Sequence, residues 1–145
     1  MNEEPITRFD GEYFFLSNFS YNPIEFESIS YRTVEHAYQA AKTLIPEVRM
    51  EISKLRYAGQ AKRQGRKVEL RDDWQDIKLE VMRELLEKKF RIPKLRKLLA
   101  QTYRRELIEG NTWGDTFWGQ CPIGKGENHL GQILMSIRAQ VIDNG

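Results

Sequence analysis

Apolar and polar positions change their period along this chain, and the changes mark its elements. "PIEFESISY" alternates Ile24 and Phe26 with Glu25 and Glu27, and a second short run follows at Ile29 to Tyr31. That period of two predicts a short hairpin within an irregular, β-rich N-terminal third, in which Asp10-Gly11 is a further turn signal. From Thr33 the period becomes helical. Thr33 is a good N-cap, and Glu35 in the first turn complements the helix dipole. Pro46 opens a second helix through "EVRMEISKLRYA" that Gly59 should close, and Gly65 should end a short piece after it. In "RDDWQDIKLEVMRELLEKKFRI", Trp74, Ile77, Val81, Leu85 and Leu86 form one stripe, with Asp72 and Gln75 spaced as a capping box. Pro93 opens a helix carrying Leu95, Leu98 and Leu99. "RELIE" at 105 to 109 is short enough to be a strand. From about Asn128, Leu130, Ile133, Leu134, Ile137 and Val141 repeat at helical spacing. The sum is a helix-rich α+β chain.

The chain has 145 residues, the size of one ordinary domain, so a single domain over 1 to 145 is expected. There is no run of about 18 apolar residues and no export pattern at the start, so the expectation is a protein without a membrane anchor, in the cytoplasm. A single cysteine, Cys121, excludes an internal disulfide and a multi-cysteine zinc site. With 23 basic and 21 acidic residues the formal net charge is +2, too small for long-range attraction to polyanions. Contact with phosphate must come from a local patch, and "AKRQGRK" at 61 to 67 is the densest, although charge pattern alone favours a solvated helix end and turn there.

On the helix "TVEHAYQAAK", Glu35, Gln39 and Lys42 fall on one side with Tyr38 at its edge, while Val34, Ala37 and Ala41 form an apolar face. The polar side is either a solvated stripe or the wall of a site. His36 points away from it, so the run does not present the paired ligands of a zinc helix, and His129 is the one other histidine. No metal is expected. "NTWGDTFWG" at 111 to 119 gathers aromatics and glycines without helical or strand period, as a loop over the core or a stacking surface for a flat base would. "GKGENHLG" leads into the last helix and could hold a phosphate at its N-terminus, or could be a surface turn with Asn128 as N-cap. In "YFFLSNF", Asn18 could orient a sugar hydroxyl or make an Asx turn.

Taken in order, "FFLSNF", "YRTVEHAYQAAK", "AKRQGRKVELRDDWQDIKLEVMRELLEKKF" and "NTWGDTFWGQCPIGKGENHLGQILMSIR" resemble the YbiA-like family, also called the NADAR superfamily. The resemblance covers nearly the whole chain. "FES" stands where a glycine turn would be expected before "ISY", and Cys121 where the family often has glycine. The resemblance implies the α+β YbiA-like fold and an N-glycosidase without cofactor. Its substrate would be a small ribosyl or ADP-ribosyl nucleotide, either an early riboflavin-pathway intermediate or ADP-ribosylated guanine in nucleic acid. The weak net charge favours the small molecule. A module that only binds NAD or ADP-ribose is the non-enzymatic alternative.

For the site, the resemblance implies Lys42 and Glu35 as catalytic residues. Asn18, Trp118, Gly119, Asn128 and Gly131 would surround the nucleotide, with Trp118 stacking on the base, Asp115 on a ribose hydroxyl, and Arg66 or Arg138 on phosphate. Phe19, Tyr38 and Gln39 complete the expected binding set. Both substrate types carry ribose on an exocyclic amine, whose lone pair can open the sugar ring to an imine. Lys42 could attack that imine, with Glu35 moving protons. Alternatively Glu35 could activate water directly against an oxocarbenium-like sugar.

Overall fold

A computed structural model of the chain describes residues 3–144. It resolves into two compact units: one is Asn18–Lys89, the other joins the segment ending at Ser17 to the segment beginning at Phe90.

The Asn18–Lys89 unit begins with an antiparallel hairpin, β1 (Ile24–Phe26) and β2 (Ile29–Tyr31), in the register Ile24↔Tyr31, Glu25↔Ser30 and Phe26↔Ile29. That register leaves a two-residue turn, and Glu27 and Ser28 both take positive φ, 47° and 74°. This is the left-handed pairing that a tight hairpin requires and that glycine or asparagine usually supplies. Arg49 clamps the turn, its Nη1 lying 3.1 Å from the Glu27 carboxylate while its Nε donates to the Thr43 carbonyl.

Helix α1 (Val34–Ala41) starts where expected, the Thr33 hydroxyl accepting from the His36 N–H at 3.1 Å. It packs against α2 (Pro46–Lys54), α3 (Ala58–Gly65) and α4 (Trp74–Lys89), and all of its residues are buried. Ala37, Ala40 and Ala41 allow that close approach on several sides. Pro46 opens α2 as predicted. Gly59 does not close it. The chain leaves the helix at Leu55, whose extended backbone turns its carbonyl toward His36 Nε2 at 2.9 Å, and Gly59 lies in the first turn of α3. The Gln60 side chain accepts from the Tyr57 N–H at that helix start. Helix α4 begins one residue later than the Asp72–Gln75 spacing implies. Gln75 accepts from Lys78, and Asp73, the residue just before the helix, is engaged by Arg71.

The other unit holds a 3-10 helix at Gly11–Leu16, where β structure was expected; Gly11 at φ +54° makes the entry. Its main helices are α5 (Pro93–Gln101), opened by Pro93, and α6 (His129–Asn144), which pack together. The "RELIE" segment is neither a helix nor a full strand: Leu107 makes a single parallel bridge to Ile6. Arg138 on α6 donates to the carbonyls of Thr102 and Arg105 at 2.9 and 2.8 Å, closing the end of α5. It is thus a structural cation. Among the described residues, no helix is long and apolar enough to cross a membrane.

Candidate functional site

The polar side of α1 is not a solvated stripe. Glu35 is 8% exposed and Gln39 4%, and Gln39 Nε2 donates to Glu35 Oε2 at 2.5 Å. A helix brings residues i and i+4 together, but such a pair is ordinarily in water. Here α3 covers it. Gly65 on α3 lies so close that a Cβ there would collide with Gln39 Oε1 and Cδ. The Glu35 N–H donates to the Asn18 carbonyl at 3.1 Å, which fixes the start of the helix against the segment before the hairpin.

Lys42 is the last residue of this side. Its carbonyl accepts from the Arg71 N–H at 2.8 Å, so its backbone is held, while its amine is half-buried over the Tyr38 ring, 5.6 Å from the centroid. Tyr38 in turn leans on Trp74 at 5.2 Å. Burial lowers the Lys42 pKa, and the positive charges of Arg66, Lys78 and Lys62 lower it further, while Glu35 pulls the other way. The ring face also favours the ammonium, but a cation–π contact at this range contributes about 0.5–1 kcal/mol, less than burial of an ammonium costs. The net effect is a Lys42 pKa below that of an ordinary lysine. What the geometry offers is a nucleophile with a raised free-amine fraction and a buried carboxylate on the same helix, about 10 Å apart along its axis. Arg66 and Lys62 supply positive charge near the amine, and Lys62 also lies over the Phe19 ring at 6.0 Å. Asn18 donates from Nδ2 to Met82 Sδ at 3.5 Å and leaves Oδ1 buried without a partner among the described residues.

His36 is a core histidine. Its Nδ1 meets the Thr33 hydroxyl at 2.7 Å, its Nε2 meets the Leu55 carbonyl, and burial lowers its pKa.

Asp115, Trp118, Gly119, Asn128 and Gly131 all belong to the other unit. Asp115 Oδ1 accepts from the N–H groups of Phe117 and Trp118, and Asn111 brackets the same turn through Asp115 N and O. Trp118, Phe117 and His129 form a half-buried aromatic trio, with Phe117 edge-on to Trp118 at 4.8 Å. Asn128 sits at φ +52°, donating from Nδ2 to the Leu107 carbonyl and accepting at Oδ1 from the Glu109 N–H. Gly131 leaves room for that amide, and Gly119 leaves room for Glu109 and Asn111.

The NADAR domain model matches residues 6–142. The chain belongs to the NADAR family. It is 39% identical over 129 residues to N-glycosidase YbiA of Escherichia coli (strain K12), a match covering 87% of this chain and 80% of that protein. A riboflavin biosynthesis protein of Vibrio vulnificus (strain YJ016) is 38% identical over 96% of this chain, which spans 39% of that longer protein. The NMR structure of E. coli YbiA superposes with a TM-score of 0.87 at 35% identity, covering 99% of this chain and 88% of that one. The helix-rich α+β architecture with its small hairpin is therefore the architecture of this NADAR relative. Lys78, Trp74 and Gly65 carry no sequence signal for the site; the stripe of α4 gave Trp74 a core role alone, and it is the folding of α3 and α4 around α1 that brings them to it.

Proposed function

We infer that this NADAR protein is an N-glycosidase that hydrolyses the C–N bond between ribose and an exocyclic amine, on a small substrate of the kind formed early in riboflavin biosynthesis. The relatives named as N-glycosidases and as a riboflavin biosynthesis protein support the reaction class and the pathway. The observation that carries the site is the half-buried Lys42 amine, depressed in pKa beside cations, on the same helix as the buried Glu35.

In the proposed reaction the lone pair of the exocyclic nitrogen expels the ring oxygen from C1′, and that oxygen takes a proton from solvent, giving an open-chain iminium. The neutral Lys42 amine adds to C1′, forming the Nζ–C1′ bond. Glu35 takes the proton that Nζ sheds and returns it to the departing nitrogen, so that the C1′–N bond breaks and the base leaves as a free amine. A lysine iminium remains. Water adds to it with Glu35 accepting a proton and passing it to Nζ, which departs as the amine; the new carbonyl oxygen returns its proton to solvent, and the free sugar aldehyde recloses. The balance is one water consumed, with base amine and sugar released. Asn18, Phe19 and Tyr38 are proposed as substrate contacts and Arg66 as a phosphate contact. Asp115, Trp118, Gly119, Asn128 and Gly131 remain in the proposal, the last three through the backbone shape they give the 111–131 segment.

The test is incubation with a ribosylaminopyrimidine phosphate and, separately, with an ADP-ribosylated guanine oligonucleotide, following products by mass spectrometry with and without borohydride. Release of the pyrimidine amine and a reduced sugar adduct on Lys42 are expected. Turnover without an adduct would transfer the attack to water activated by Glu35; release from the oligonucleotide alone would overturn the small-substrate reading.

A further inference from the structure

Gln39 was expected to touch substrate, yet its amide is committed elsewhere. It is 4% exposed, its Nε2 is 2.5 Å from Glu35 Oε2, and its Oε1 faces the Cα of Gly65 with no hydrogen-bond partner among the described residues. The amide cannot turn over. Reversal would set Oε1 against the Glu35 carboxylate, two acceptors in contact, and would drive the NH2 group into Gly65. On the α3 side the end of the side chain already fills the space that a Cβ at position 65 would take.

We propose that Gln39 is a positioning residue, wedged by Gly65 so that its amide holds the Glu35 carboxylate in one rotamer and in its ionised form, and that Glu35 therefore enters the reaction as a proton acceptor. An amide N–H can only donate, so the bond exists with a carboxylate oxygen and is weakened when that oxygen carries the proton. The orientation matters as much as the charge: a carboxylate free to rotate would seldom present its second oxygen to the reacting nitrogen or water. Gly65, the last residue of α3, is the other half of the device, since it leaves the space that the end of Gln39 fills. The catalytic part of this inference rests on the reading of Glu35 given above; the positioning part does not.

The experiment separates the two. The carboxyl carbon of Glu35 is followed by NMR against pH in protein labelled at glutamate Cδ, assigned by its disappearance in Glu35→Gln, in parallel with kcat and KM. In Gln39→Leu the Glu35 signal should titrate at higher pH than in the parent, with kcat down about tenfold, the equivalent of one charge-assisted hydrogen bond, and KM within about twofold. Gly65→Ala should do the same by displacing Gln39. In Gln39→Ala, where the two worst colliding atoms, Oε1 and Cδ, are gone, adding Gly65→Ala should cost much less than it does alone. If leucine prevents folding, Gln39→Asn, too short to reach Glu35, replaces it. An unchanged Glu35 titration in the folded Gln39 variant, or fully additive Gly65 and Gln39 effects, overturns the proposal. A shifted titration with no glycosidase activity in any form would instead remove the functional reading and leave the positioning intact.

Discussion

In the 111–128 segment, Asn111, Asp115 and Asn128 give their side chains to nearby backbone groups, and each carries a loop or a helix approach in return. On α1 the buried polar groups are disposed differently. Gln39 donates to another side chain, Glu35, and Lys42 presents an amine that burial and neighbouring cations keep from being a comfortable ammonium. Burial of polar atoms costs free energy in both places. In the loop the cost is offset by backbone hydrogen bonds that define the fold. On α1 part of it is left standing, and that is the basis of the reactivity proposed for Lys42.

That difference predicts opposite consequences for substitutions in the two regions. Lys42→Ala should abolish turnover, with kcat falling by more than about a thousandfold, because the route through a lysine iminium disappears. Thermal stability should hold or rise slightly, since a half-buried amine is removed; mass-spectrometric product release and a melting curve read the two effects. Glu35→Gln, which keeps the shape, should lower kcat about a hundredfold, the usual worth of a general base. Retention of full activity in either variant would return the polar side of α1 to a structural role.

Asn128→Ala reverses the pattern. It removes bonds to the Leu107 carbonyl and the Glu109 N–H, and it places alanine at φ +52°. The expected loss is about 2–4 kcal/mol of stability, from lost hydrogen bonds and left-handed backbone strain. Urea unfolding measures it. The pH dependence of kcat in the surviving folded fraction should be that of the parent.

Lys89 lies on the structural side of the division although it is a lysine. It is wholly buried at the end of α4, its Nζ donates to Ser20 Oγ at 2.9 Å, and burial lowers its pKa to about 7. The unfolded chain, with an ordinary lysine near 10.5, then binds more protons than the native state between those values, so stability rises with pH across the window and the full penalty is present below about 7. Relative to Lys89→Met, the parent should gain about 2–3 kcal/mol between pH 6 and pH 9 in denaturant titrations. A difference that does not change with pH would show that Lys89 stays protonated in the fold.

The hairpin, the Thr33 cap, the two proline-opened helices and the α4 stripe were legible because each depends on local sequence: period, capping chemistry, fixed φ. The Glu27-Ser28 turn was not, because neither residue ordinarily supplies positive φ, and Arg49 from another element holds it. The 3-10 helix over "EYFFL" was hidden for a related reason: its aromatic run suits a strand, and tertiary packing decided otherwise. For the site, helical geometry put Glu35, Gln39 and Lys42 on one side of α1. It could not say that the side is buried, or that Gly65, Lys78 and Trp74 would reach it, because those neighbours come from α3 and α4. Cap signals also misled: the Asp72–Gln75 spacing put the start of α4 one residue early, and the Gln75 side chain accepts from Lys78.

The smallest effect tests the electrostatic part of the Lys42 argument. Lys78 bonds to Gln75, and its positive charge lowers the pKa of the Lys42 amine. Lys78→Gln removes that charge while leaving a polar side chain on α4. The Lys42 pKa should rise, so that at any pH below it less of the amine is free, and the acidic limb of the kcat profile should move to higher pH. On that limb the variant should be about two- to threefold slower, the worth of a partly exposed charge interaction, and on the alkaline plateau it should equal the parent. Raising the salt concentration should shrink the difference, because the charges act partly through solvent. A variant slower by the same factor at every pH would mean that Lys78 acts by contact with substrate, and the free-amine argument would then rest on burial, Arg66 and Lys62.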